Sequence, residues 1–175
     1  MRKILLVSMM TIFPAAMALA QGPFKVGDKV PDFKLPYATR DTIDYNGISS
    51  QDLAGKRYLL AFYPADWSPG CTKEVCSFRD NMSQFEKLGL VVLGVSVDNP
   101  YSHQQWARFD SLNFKLLSDQ THKLGETMGV YLPEQGVFQR SVFVVGPDGR
   151  FQYINYNYSV ANDNDFNALK AALGK

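Results

Sequence analysis

From residue 21 onward, the apolar and polar positions predict strands and helices in alternation. Two runs are apolar almost throughout, Arg57–Tyr63 (RYLLAFY) and Leu90–Val97 (LVVLGVSV). Runs of that length and composition predict strands covered on both faces. Between them, Val75, Phe78, Met82, Phe85 and Leu88 recur at spacings of three and four, which predicts one helix over 70–88, stopped by Gly89. Asp98-Asn99-Pro100 predicts the start of another, with Asp or Asn as cap and Pro in the first turn. Weaker signals place short strands at Lys34–Ala38, Phe114–Leu117 and Ser141–Val145, and a brief helix over 121–129. Pro147-Asp148-Gly149 turns the Ser141–Val145 strand into a hairpin partner, Arg150–Tyr156, and an amphipathic helix closes the chain over 163–173. Residues 21–32 form an extended lead-in arm, and Ile48–Leu53 a turn or half-turn of helix. Such an order implies a central mixed sheet flanked by helices on both faces, an α/β arrangement.

The whole chain has 175 residues, enough for a single domain with a full hydrophobic core. Apolar residues at 46% and charged residues at 20% are those of an ordinary globular chain, so no disulfide framework is needed. The first twenty residues stand apart. Arg2 and Lys3 precede an apolar run from Ile4 to Met17, and Ala18-Leu19-Ala20 supplies small residues for a signal peptidase. The run is shorter than the roughly 20 residues of a spanning helix. A signal peptide over 1–20 is therefore expected, with residues 21–175 as the exported domain and the periplasm ranked ahead of full secretion. Removing 1–20 takes away two basic residues and no acidic one, leaving 16 basic against 17 acidic residues and a net charge of −1. That balance points to neither a nucleic-acid partner nor an anionic membrane surface, and no later segment is apolar enough to insert in a membrane.

The chemistry is concentrated in FYPADWSPGCTKEVCSFRD, residues 62–80. Cys71 falls near the start of a helix that follows a buried strand, where free N–H groups and the helix dipole favour an anion. A thiolate there is the reactive form of cysteine. Ser68 can offer its hydroxyl to the sulfur or to a bound oxygen, or act simply as helix cap. Pro64 and Pro69 stiffen the loop, and Pro64 is placed to shield the thiolate from water. Cys76 lies five residues beyond Cys71, which on a helix is 140° past a full turn. The two sulfurs then point to different faces, so a Cys71–Cys76 disulfide requires the first turn to unwind.

This stretch resembles the peroxiredoxin signature Pro-x3-Thr/Ser-x2-Cys, met by Pro64, Ser68 and Cys71. The second cysteine five residues on resembles the bacterioferritin comigratory protein (PrxQ-type) branch. VGDKVPDFKL, LVVLGVSVD, FKLLSD and RSVFVVGPDGRF follow in the family's order, so the likeness covers roughly residues 24–160. It implies a thioredoxin-like fold and a thiol peroxidase acting on hydrogen peroxide or organic hydroperoxides. It also implies Cys71 as peroxidatic cysteine, Cys76 as resolving cysteine, Arg140 as the active-site arginine and Ser68 as a hydrogen-bond partner of the peroxide, where the family more often has Thr. No prosthetic group is implied. The partners implied are the peroxide and a thioredoxin-like or other thiol reductant, and with both cysteines in one chain a monomer or weak oligomer suffices. Glu74 matches an acidic residue often found one turn into this helix, or is a favourable first-turn charge. Trp67 is either pocket lining or a loop aromatic, and His103 and His122 are expected to be ordinary polar residues.

Two other functions are open to such a chain. An exported thioredoxin-like thiol–disulfide oxidoreductase would more usually carry Cys-x2-Cys, whose sulfurs can bond with the helix intact. A non-enzymatic domain with a structural Cys71–Cys76 bridge would spoil a well-patterned helix start.

Overall fold

The structure, a computed structural model, describes residues 22–161 and 163–174. The expected signal peptide, 1–20, lies outside the described residues. Seven strands make one mixed sheet. In chain order they are β1 (Lys34–Ala38), β2 (Ile43–Ser49), β3 (Arg57–Phe62), β4 (Leu90–Ser96), β5 (Lys115–Ser118), β8 (Ser141–Val145) and β9 (Phe151–Asn155). Their spatial order is β2-β1-β5-β4-β3-β8-β9. β3, β4 and β5 are parallel to one another, and the other pairings are antiparallel. A two-stranded hairpin, β6 (Tyr131–Leu132) with β7 (Val137–Phe138), stands beside it. The helices are α1 (Pro69–Asp80), α2 (Met82–Lys87), α3 (Pro100–Phe109), α4 (Lys123–Thr127) and α5 (Asn164–Leu173).

β3 shows why its sequence is apolar on every position. Leu59, Ala61 and Tyr63 face one core layer, with Val75, Phe78 and Phe85 of α1–α2, Trp106 of α3 and Leu169 of α5. Tyr58, Leu60 and Phe62 face the other layer, with Leu124 and Met128 around α4, Phe138 of β7 and Phe33 of the lead-in arm. Successive side chains of a strand point to opposite faces, so a central strand covered on both sides has no polar position. Four helices thus cover one face; α4, the small hairpin and the arm cover the other. Cys71 belongs to the four-helix layer.

Two expectations are corrected. The helix over 70–88 is two helices broken at Asn81, whose Nδ2 donates to the Ser77 carbonyl at 2.8 Å. That is the carbonyl a continuous helix would offer to the Asn81 N–H, so the side chain competes with the backbone ladder. The apolar spacing runs on through the break, and periodicity alone could not reveal it. The turn expected over Ile48–Leu53 begins only at Ser50 and is not helical, because Ile48 and Ser49 end the unpredicted strand β2. Its Asn46-Gly47 pair looks like a turn. Gly47 instead sits at φ +74° in a bulge of β2, where Tyr45, Asn46 and Gly47 stand against Pro36 of β1, and a Cβ there would lie 2.3 Å from the Leu35 carbonyl oxygen.

Candidate active site

α1 begins where the β3 strand spills into its connecting loop. Ser68 is the N-cap, with extended backbone, and its Oγ accepts from the Cys71 N–H at 3.4 Å. Pro69 opens the helix, so its missing N–H is one that would have had no acceptor in the helix. Cys71 is therefore the third helical residue, fully buried, at the electropositive end of a three-turn helix.

Arg140 reaches this point from the strand next to β3. β8 runs antiparallel to β3 with Ser141 opposite Phe62. The residue before β8 is thus delivered next to the loop that follows β3. Arg140 Nη2 donates to Cys71 Sγ at 3.3 Å. Its Nη1 donates to Glu74 Oε2 in a close charge pair. Gly70 makes room for the guanidinium, since a Cβ there would lie 3.2 Å from Nη2. One planar fork thereby bridges a sulfur and a carboxylate, which a lysine could not reproduce.

Glu74 is completely buried, and Oε1 has no hydrogen-bond partner among the described residues. Burial pushes its carboxyl up to about 7, against the pull of Arg140. Burial also works against the Arg140 charge, but the Glu74 carboxylate and the Cys71 sulfur outweigh it and hold the guanidinium above its ordinary range. Glu74 lies in the second turn of α1 and is not a first-turn surface charge.

Cys76 is partly buried further along the same helix, and both cysteines are free thiols. Its thiol is raised, chiefly by burial and with Asp110 and Asp80 adding to it, although Arg79 opposes. Pro64 is partly buried at the bend two residues after β3. Trp67 is not buried lining. It is 49% exposed, has φ +64°, and donates from Nε1 to Ser102 Oγ at 3.3 Å.

The pattern of the sequence did not flag the polar cluster beneath this loop. His103 is fully buried on α3, not an ordinary polar residue, and its Nδ1 lies 2.9 and 3.1 Å from the two carboxylate oxygens of Asp66. Tyr63 Oη and Ser102 Oγ donate to the same carboxylate at 3.0 and 2.7 Å. His122, by contrast, sits at φ +61° and stacks on Tyr131 with centroids 4.3 Å apart.

The arrangement suits chemistry on a thiolate. A helix N-terminus and a guanidinium converge on one sulfur, and both stabilise negative charge on it or on an oxygen bound beside it.

Comparison with known proteins finds relatives over most of the chain. The model of the AhpC/TSA family matches residues 26–154. A peroxiredoxin Bcp of Escherichia coli K12 is 34% identical over 151 residues, covering 82% of this chain and 92% of the relative. A putative peroxiredoxin of Mycobacterium tuberculosis is 41% identical over 138 residues, covering 75% and 84%. Among solved structures, peroxidoxin BcpB of Mycobacterium tuberculosis superimposes with a TM-score of 0.73 at 29% identity, over 86% of this chain and 96% of that one. Enterococcus faecalis AhpC shares the fold, with a TM-score of 0.76 at 23% identity over 85% and 90%. No helix among the described residues is long and apolar enough to cross a membrane. The fold is thus the thioredoxin-like one expected, and the chain belongs to the AhpC/TSA family of peroxiredoxins.

Proposed function

We propose that the protein is an exported two-cysteine peroxidase that reduces hydrogen peroxide and organic hydroperoxides at Cys71 and resolves the product with Cys76. The observation that carries this reading is the Arg140 fork, 3.3 Å from a buried Cys71 sulfur at a capped helix start. In the first step the Cys71 thiolate attacks one peroxide oxygen. An S–O bond forms and the O–O bond breaks; the peroxide proton passes to the departing oxygen, which leaves as water or an alcohol, and the sulfenate left on Cys71 takes a proton from solvent to become the sulfenic acid. Arg140 and the N–H groups of the first turn stabilise the charge moving from sulfur to the departing oxygen. Ser68 can hydrogen-bond the peroxide once the loop admits it, and Pro64 limits water near the sulfur.

In the second step the first turn of α1 unwinds and the Cys76 thiolate attacks the Cys71 sulfur; the S–S bond forms as the S–O bond breaks, and the departing hydroxide takes a proton from solvent and leaves as water. An external dithiol, thioredoxin-like in kind, then reduces that disulfide by exchange. Complete burial of Cys71 supports this reading over protein disulfide exchange, because a peroxide is small enough to reach the sulfur and a protein disulfide is not. Residues 1–20 are proposed to direct export and to be removed after Ala20, and mass measurement of periplasmic protein should give a chain beginning at Gln21.

The test is one stoichiometric dose of hydrogen peroxide on the reduced protein, with peroxide and free thiols followed together. Fast loss of peroxide with both thiols, abolished by Cys71→Ser, is expected. If the protein consumes peroxide no faster than free cysteine does, the reading fails.

A further inference from the structure

We propose that Asp66 and His103 are positioning residues for the Cys71 loop, forming a buried clamp that opposes the unwinding through which Cys71 meets Cys76. The inference rests on the peroxidase reading for its kinetic consequence, but not for the clamp itself.

Asp66 is in the β3–α1 loop, two residues before the Ser68 cap. Its side chain is 1% exposed and that of His103 is completely buried. Most polar contacts of this pair tie the loop to α3 and to the residues after β4, and His103 is itself anchored to β5. His103 Nδ1 meets both Asp66 oxygens from α3, and His103 Nε2 lies 3.2 Å from the Leu117 carbonyl of β5. Ser102 and Tyr63 donate to the carboxylate as well. The Asp66 backbone N–H donates to Asp98 Oδ2 at 2.9 Å, and Ser96 Oγ of β4 holds that same oxygen at 2.8 Å. Trp67 completes the latch by donating to Ser102.

α3 therefore grips directly the one residue from which the Ser68–Cys71 turn departs, β4 holds it through Asp98, and β5 braces the histidine. No step of the proposed mechanism uses this network. A fully buried polar pair is a costly way to fill a core unless both members keep their hydrogen-bond partners, so loss of either one should release the loop first. The clamp sets the upstream limit of the segment that unwinds, and it weights the balance toward the wound form that reacts with peroxide.

The test compares the reduced wild-type protein with His103→Leu, His103→Asn and Asp66→Asn. Asn at 103 can place an amide donor where Nδ1 lies, and so keeps half of the clamp. Amide exchange is read over 64–72 and, as control, over β4 and β8. Single-turnover kinetics separate sulfenic acid formation from disulfide formation. In His103→Leu, exchange over 64–72 should rise at least about 10-fold relative to β4 and β8, oxidation of Cys71 should slow by about 10-fold, and disulfide formation should accelerate. His103→Asn should fall between His103→Leu and wild type, and Asp66→Asn should move both steps in the same opposed directions. Equal slowing of both steps, or exchange rising uniformly over loop and strands, would overturn the clamp and leave an ordinary core pair. If wild type does not react with peroxide, the peroxidase reading fails by itself, and the exchange pattern still decides whether the pair holds the loop.

Discussion

Replacing Glu74 by Gln should remove a pH dependence of folding that the wild-type chain carries. The carboxyl is completely buried and raised by burial from 4.5 to about 7. Because the folded value is the higher one, the unfolded chain loses its proton first as pH rises. Between about pH 4.5 and 7 the folded state binds more protons, so stability falls with rising pH and levels off above 7. At about 1.4 kcal/mol per pH unit, a rise from 4.5 to about 7 corresponds to about 3 kcal/mol. Gln cannot ionise, so urea midpoints of the reduced variant should lack this decline. With a slope of roughly 2 kcal/mol/M, the wild-type midpoint should fall relative to the variant by about 1.5 M between pH 4.5 and 7.5. The comparison cancels the titration of every other group that the substitution leaves alone. Parallel midpoint curves across that window would refute the reasoning, for they would mean that Arg140 keeps Glu74 ionised throughout and that pairing, not burial, dominates.

Other outcomes follow from the same geometry. Arg140→Gln should slow oxidation of Cys71 by about 100-fold in a competition assay, and Arg140→Lys should restore only part of it, since the charge returns without the fork. Cys76→Ser should react with one equivalent of peroxide and stop at the sulfenic acid, detectable by mass after trapping with a dimedone-type reagent. Ser68→Ala should lower stability by about 1 kcal/mol through loss of the α1 cap, measured by urea unfolding, while Ser68→Thr keeps the cap. Gly125→Ala would bring a Cβ to 2.1 Å from Phe138 Cε1, and should lower stability by about 1–3 kcal/mol in thermal melts. That site is on the face of the sheet away from Cys71, so the rate of peroxide reaction at 25 °C should hold.

The sequence pattern located β3, β4, β8 and the start of α3 to within a residue or two, because their apolar runs, caps and prolines are local signals. β2 escaped because only its last residue is buried and it carries an Asn-Gly pair. The hairpin β6–β7 escaped because two-residue strands have no period to detect. His103 had a usable signal, since with Pro100, Trp106 and Ala107 it falls on the buried face of α3. Read by helical phase, a histidine on that face demands a partner, but nothing in its spacing names Asp66.

By itself the sequence determined the placement of Cys71 at a helix start, its cap, and the mismatch of Cys71 and Cys76 on an intact helix. Those are consequences of backbone geometry over a few residues and need no distant contact. Only the tertiary structure decided what surrounds the sulfur. Arg140 is 69 residues from Cys71 and arrives through the register of β8 on β3. The burial of Glu74 depends on the core layer that α1 shares with Tyr158 and α5. The Asp66–His103 pair depends on α3 packing beneath the loop. Charge and dielectric at the thiol are sums over neighbours in space, and chain order does not carry them.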